Sequence, residues 1–182
     1  MTQTWRGKMI GLLAIFLCLS FFFAAYRCLQ LTKYEAAFSP YGKSLPLVLS
    51  TINSARKSIR VAAYAFTSKP VAEALRDAHK RGVDVKVVAD AKSNGREYTA
   101  VTFLANQGVP VRLNANYAIL HNKFMVIDGT TLETGSFNYS AAAVNKNAEN
   151  VLVIHDMPTL ARQYTEEWTR LWNEGVDVKP NY

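Results

Sequence analysis

Two polar side chains stand two positions apart in an otherwise apolar stretch, His121 and Lys123, at the head of the run HNKFMVID that ends at Asp128. Successive side chains of a strand alternate between faces, so an imidazole and an ammonium at this spacing share one face. Phe124, Val126 and their apolar neighbours supply a buried side, which puts the polar pair at the rim of a sheet. The pair suits an anion, and a phosphate in particular. Seven residues beyond Asp128 the chain reads Gly135, Ser136, Phe137, Asn138. Ser136 and Asn138 again share one face of an extended segment, adding a hydroxyl and an amide to the lysine charge.

The segments that must position these groups alternate in kind. Leu45, Val48, Leu49, Ile52 and Ala55 recur at helical spacing, and residues 59–66 (IRVAAYAF) form a β-rich run of strand length. Residues 71–81 repeat the helix, closed by Gly82, and residues 83–89 give the next strand. A helix over 98–106 and a short strand over 109–113 follow. The second half changes character: residues 122–127 and 131–134 are short strands around Asp128 and Gly129, a pair suited to a tight hairpin. Residues 149–154 make another strand, and 158–172 a C-terminal helix with Leu160, Tyr164, Trp168, Leu171 and Trp172 on its apolar side. The pattern predicts an α/β domain, a mixed β-sheet flanked by helices, over residues 45–182. Residues 30–44, with Ser39, Pro40, Tyr41 and Gly42, read as a linker and turn.

Length and composition agree with one folded domain: 182 residues, 49% hydrophobic and 19% charged. The net charge is +7, but Arg6, Lys8 and Arg27 flank one apolar block, and without them 18 basic residues face 14 acidic ones. This mild excess permits an anionic partner, nucleic acid or acidic lipid. The block, residues 9–26, holds 18 residues without a charge. As a helix it is about 27 Å long, at the short end of a bilayer span. Residues 1–29 therefore read as one N-terminal hydrophobic helix, a signal or anchor. Bulky Phe23 spoils the nearest cleavage site, after Ala25, so an uncleaved anchor is favoured over a removed signal. Lys8 keeps the N-terminus cytoplasmic, so the body is expected to be exported to the periplasm, tethered to the inner membrane or secreted after cleavage. Cys18 and Cys28 both lie in this segment, leaving the body without a disulfide.

His-x-Lys, four residues, Asp, six residues, then Gly-Ser-x-Asn resembles the catalytic motif of the phospholipase D superfamily, with His121, Lys123, Asp128, Ser136 and Asn138 at its named positions. The resemblance extends through Phe38, Ser39, Pro40, residues 58–67, Arg81, Gly82, Val83 and Glu149. It is strongest to the small, single-motif, EDTA-resistant bacterial endonucleases. Those enzymes pair two copies of one motif across a two-fold axis, so the single copy here implies a homodimer. The resemblance makes His121 of one subunit the nucleophile and His121 of the other the acid, through a phosphohistidine intermediate. Lys123, Ser136 and Asn138 would bind the phosphate, Glu149 would hold the histidine, and Asp128 would orient from outside the phosphate shell. Singly, each residue has an ordinary structural reading: a satisfied histidine, a solvated lysine, a hairpin aspartate, a loop. Their joint spacing is what carries the chemistry. His79 and His155 read as surface residues.

Three scattered histidines and a cysteine-free body give no zinc spacing, and no glycine-rich phosphate loop occurs, so no metal and no cofactor are expected. Two substrates remain. A nonspecific endonuclease on DNA or RNA fits the basic body, with Arg56, Lys57, Arg60, Lys69, Lys92, Arg96 and Lys146 as candidate phosphate contacts. A phospholipase D on phosphatidylcholine or cardiolipin fits a membrane segment, since mitochondrial cardiolipin hydrolases combine such a segment with one motif. A non-catalytic anion-binding protein is the third reading, opposed by the complete motif.

Overall fold

The computed structural model describes residues 33–95 and 99–181; the expected helix over residues 1–29 and Arg96 lie outside them. In chain order the elements are β1 (Tyr34–Ser39), α1 (Ser44–Ser54), β2 (Ser58–Ala63), α2 (Lys69–Lys80), β3 (Asp84–Asp90), α3 (Ala91–Asn94), α4 (Ala100–Asn106) and β4 (Val111–Asn114). There follow β5 (Lys123–Ile127), β6 (Thr131–Gly135), α5 (Ala141–Asn145), β7 (Glu149–Ile154), α6 (Pro158–Asn173) and β8 (Val176–Asp177). The described strands form one sheet of eight in the order β1-β7-β6-β5-β2-β3-β4-β8. β2, β3 and β4 run parallel and the other pairings are antiparallel, so the sheet is mixed.

The alternation along the strands assigns each face a layer. Ile59, Val61 and Ala63 of β2, Met125 and Ile127 of β5, and Val151 and Val153 of β7 pack under α1, α2, α4 and α5. Ala62, Val88, Phe124, Val126 and Leu132 face the other way, against Ala161, Trp168 and Leu171 of α6. Helical spacing supplies the matching faces: Val48 and Ile52 in α1, and Val71, Leu75 and Ala78 in α2. The Trp168 indole N–H, buried in the second layer, donates to the Val61 carbonyl at 2.8 Å.

The expected linker over 30–44 contains a strand instead. β1 pairs with β7 from Tyr34↔Ile154 to Ser39↔Glu149. Only Ala37 and Ser39 are buried along it, so its own pattern is too weak to announce a strand, and the ladder to β7 creates it. The hairpin at Asp128 and Gly129 forms as expected, with φ of 54° and 71° at the two residues.

Asp128 also ties the hairpin to the start of β2. Its carboxylate accepts the backbone N–H groups of Arg56 (2.9 Å), Lys57 (2.7 Å) and Ser58 (2.9 Å). Burial alone would raise this carboxyl, but the three N–H donors and the Lys57 charge outweigh it and hold it below the usual aspartate range. Glu133, on β6 beneath the helices, is the opposite case. It is fully buried, and burial raises its carboxyl to about 8 although the Tyr139 hydroxyl donates to it at 2.7 Å.

Replacing Asp128 with Ala is expected to lower stability by about 2–3 kcal/mol, the loss of a charged acceptor for several N–H groups. Urea unfolding at pH 7 measures it, and the deficit should shrink as pH falls through the depressed carboxyl pKa, because the wild-type contribution disappears there. For Glu133 the sign reverses. The unfolded chain releases this proton near the ordinary value of 4.5 and the folded chain holds it to about 8, so stability falls as pH rises between them. Glu133→Gln, which keeps an acceptor for Tyr139, should abolish that component of the fall in urea midpoint between pH 5 and pH 8.

Candidate active site

All the motif residues except Asp128 gather at one edge of the sheet. At this edge β2 and β3 end, β5 begins at Lys123, β6 ends at Gly135, β7 begins at Glu149 and β1 ends at Ser39. Asp128 closes the far end of β5, five strand residues from the site, or about 17 Å at strand rise. Its work is to fix the β5–β6 hairpin against β2, and it belongs to the scaffold rather than to the reacting groups.

Lys123 shares a face with Met125 and Ile127 and is 6% exposed. Its ammonium donates to the His121 carbonyl at 2.7 Å and lies 5.0 Å from the Tyr64 ring centroid. An ammonium has three N–H donors, so this arrangement leaves capacity for an anion. Burial lowers the Lys123 pKa below the ordinary 10.5, and the negative charge of Glu149 opposes that fall. The His121 side chain is exposed and its ring lies 4.7 Å from that of Tyr64, tilted by 57°. One aromatic side chain thus braces both members of the pair.

β6 and β7 meet closely here because of a glycine. A Cβ at Gly135 would stand 2.1 Å from the Asn150 carbonyl oxygen, a distance no side chain tolerates. Just beyond it the Ser136 hydroxyl donates to Glu149 Oε2 at 2.6 Å and accepts the Asn150 N–H at 3.1 Å. Glu149 Oε1 accepts the side-chain amide of Asn147 at 3.0 Å. Among the described residues no hydrogen bond joins Glu149 to His121. The one hydroxyl proton of Ser136 is therefore committed to Glu149, and donation to a phosphate requires an exchange of partners. Asn138 Oδ1 faces the Ala65 N–H at 3.5 Å, which leaves its amide hydrogens for an anion.

Four positioning residues are not evident from motif spacing. Tyr64 sits where β2 was expected to continue to Phe66, but the strand stops at Ala63. Buried Asn94 captures the segment: it donates to the Tyr64 carbonyl and accepts the Phe66 N–H at 2.9 Å. Asp90 caps α3 through the Ser93 N–H and accepts the Leu120 N–H at 2.8 Å, fixing the approach to His121. Asn147 orients Glu149. A polar side chain at the end of a β-rich run, as at Asp90, is the sequence signal that was available for this group.

The expected basic surface divides. Lys69, Lys92 and Lys146 are exposed and lie at the active edge, at the start of α2, in α3 and beside Asn147. Arg56 and Lys57 stand at the opposite edge with Asp128, and Arg60 is paired with Asp84 and set over Trp168. Of the three histidines, only His121 lies at this edge. His79 is in the last turn of α2, and His155, just beyond β7, contacts Glu35 at 2.9 Å.

Removing the Glu149 charge withdraws the influence that supports the Lys123 ammonium, so Glu149→Gln should move the alkaline limb of the pH profile to lower pH. The pH dependence of kcat/KM on a small phosphodiester measures it, and an unmoved limb in an active variant would contradict the coupling.

Comparisons with known proteins assign the chain to a family. The sequence profile of the family described as "Cardiolipin synthase, PLD-like domain" matches residues 48–172. The chain is 35% identical over 140 residues to "Phospholipase D" of Rickettsia bellii, covering 77% of this chain and 69% of that protein. It is 33% identical to the "Mitochondrial cardiolipin hydrolase" of Canis lupus familiaris over 77% of this chain, but spans only 55% of that protein's length. Among solved structures, Nuc from Salmonella typhimurium, a phospholipase D family member, superposes with a TM-score of 0.80 at 44% identity, covering 82% of this chain and 99% of that one. NucT from Helicobacter pylori, at 24% identity and a TM-score of 0.71 over 81% of this chain and 100% of that one, shares the fold. With its profile match running from α1 into α6 and its motif residues assembled on one sheet edge, the chain belongs to the phospholipase D superfamily of phosphodiester hydrolases.

Proposed function

We propose that this protein is a metal-independent endonuclease of low sequence specificity that hydrolyses DNA or RNA through a phosphohistidine on His121. The observation that carries the reading is the exposed imidazole beside a buried ammonium. One supplies an accessible nucleophile, and the other a positive charge in a place where water screens it little. In the first step an imidazole nitrogen bonds to phosphorus as the bond to the leaving oxygen breaks, and that oxygen takes a proton from a general acid. In the second step water attacks phosphorus, gives up its proton to the same group and releases the histidine. Lys123, the Asn138 amide and, after leaving Glu149, the Ser136 hydroxyl compensate the charge on the non-bridging oxygens.

The chemistry needs a second proton-carrying group, and one chain offers a single histidine at the active edge. Two copies joined about a two-fold axis supply it from each other. Phe38 and Tyr41, 64% and 101% exposed, stand where β1 ends beside Glu149 and give such a partner an aromatic surface to cover.

Substrate choice rests on the charge carried by the active edge. Exposed Lys69, Lys92 and Lys146 at the active edge suit a soluble polyanion. The names of the relatives support phospholipid hydrolysis as the second reading.

The test incubates the full chain in detergent with plasmid DNA, RNA, and phosphatidylcholine or cardiolipin vesicles in excess EDTA. Nucleic acid should be cut, His121→Ala should lose about 10³-fold or more of the rate, and binding should weaken steeply with salt. Headgroup release with intact nucleic acid would transfer the assignment to a phospholipase.

A further inference from the structure

Beside the site, on the same face of the sheet, a cleft of about 720 Å³ opens between the first turn of α2 and the length of α4. Its walls include Thr67, Lys69, Ala72, Thr99, Thr102 and Phe103. The mouth is built into the motif: the backbone N–H groups of Thr67 and Ser68 both donate to the carbonyl of Tyr139, the residue after Asn138, at 2.8 Å. Thr67 follows Tyr64 by three residues, and the Tyr64 ring touches that of His121. The mouth is therefore within about 10 Å of the Tyr64 backbone, whose side chain reaches the imidazole.

We propose that this cleft is a nucleoside subsite, seating the sugar and base next to the phosphate bound at His121 and Lys123. The inference rests on the endonuclease reading and deepens it. The volume falls in the ordinary range for small-molecule sites, roughly 300–1,000 Å³, and accommodates a sugar and a base. The lining is amphipathic in the way a nucleoside is. Ala72 and Phe103 provide apolar surface, and the Phe103 ring is backed by the Arg76 guanidinium 5.7 Å from its centroid. The Thr99 hydroxyl is engaged, donating to the Asn94 carbonyl and capping α4 through the Thr102 N–H, while Thr67 and Thr102 provide hydroxyls that can donate or accept, so the cleft can meet the polar edge of any base and imposes no sequence. Lys69 stands at the rim with a side chain 83% exposed and only a 3.8 Å contact to Glu73, placed for the next phosphate of the strand. An acyl chain would gain little from hydroxyls and a charged rim.

Three esters with one leaving group separate the possibilities: 4-nitrophenyl esters of thymidine 5′-phosphate and 3′-phosphate, and methyl 4-nitrophenyl phosphate, which lacks the nucleoside. The full chain should hydrolyse the better nucleoside ester with kcat/KM about tenfold above the methyl ester, the scale of one base stacked on protein. Thr102→Trp, which fills the cleft, and Thr67→Trp, which blocks its mouth from an exposed position, should each erase that advantage while the methyl ester rate stays within about twofold. The second variant leaves the core untouched and guards against a folding defect in the first. An advantage that survives both substitutions, or nucleoside and methyl esters that fall together, overturns the subsite. Cleavage of the methyl ester with no activity on oligonucleotides overturns the endonuclease reading itself and the subsite with it.

Discussion

The site is organised around one demand, that an ammonium be kept charged where little water reaches it. Lys123 meets it with a carbonyl from His121, the face of Tyr64 and the field of Glu149. Each contact dictates something about the backbone. The carbonyl requires the chain to bend just before β5, the ring requires β2 to stop at Ala63, and the carboxylate requires β7 to begin close to β6, which only a glycine at position 135 allows. Conditions that stabilise a buried charge also make it useful, because the same low dielectric that penalises an isolated ammonium strengthens its attraction for an arriving phosphate.

The two ends of the sheet are finished by the same device. Asp90 at the active edge and Asp128 at the far edge both spend their carboxylates on backbone N–H groups, one on Ser93 and Leu120, the other on residues 56–58. Loops that must hold a fixed shape without the ladder of a sheet need such acceptors. The contrast with Glu133 is instructive: buried against Tyr139, it keeps its proton and behaves as a polar core residue.

Much of this was legible in the residues. The mixed sheet between helical layers follows from alternating periods, and the hairpin follows from Asp128 and Gly129, because both signals are local. His121, Lys123, Ser136 and Asn138 stood out through joint spacing, and the fold brings them to one edge. What stayed hidden depends on partners distant in sequence. β1 exists through its ladder to β7, Tyr64 matters because Asn94 turns it out of the strand, and Arg56 and Lys57 lie at the wrong edge because β2 starts there. Asp128 read as a turn residue outside the phosphate shell, and what its spacing did not reveal is the strand's length that separates it from the site.

The hairpin at Asp128 and Gly129 has a reach that its distance from the site conceals. It sets the register of β5 against β6, and a side-chain period of two makes register a binary choice. Shifted by one residue, Phe124 and Val126 would turn toward the layer of α1 and α2, while the imidazole and the ammonium would be delivered into the layer of α6. A tight turn at the far rim of the sheet thus acts as the parity setting of the enzyme: it determines on which side of the protein there is any chemistry at all.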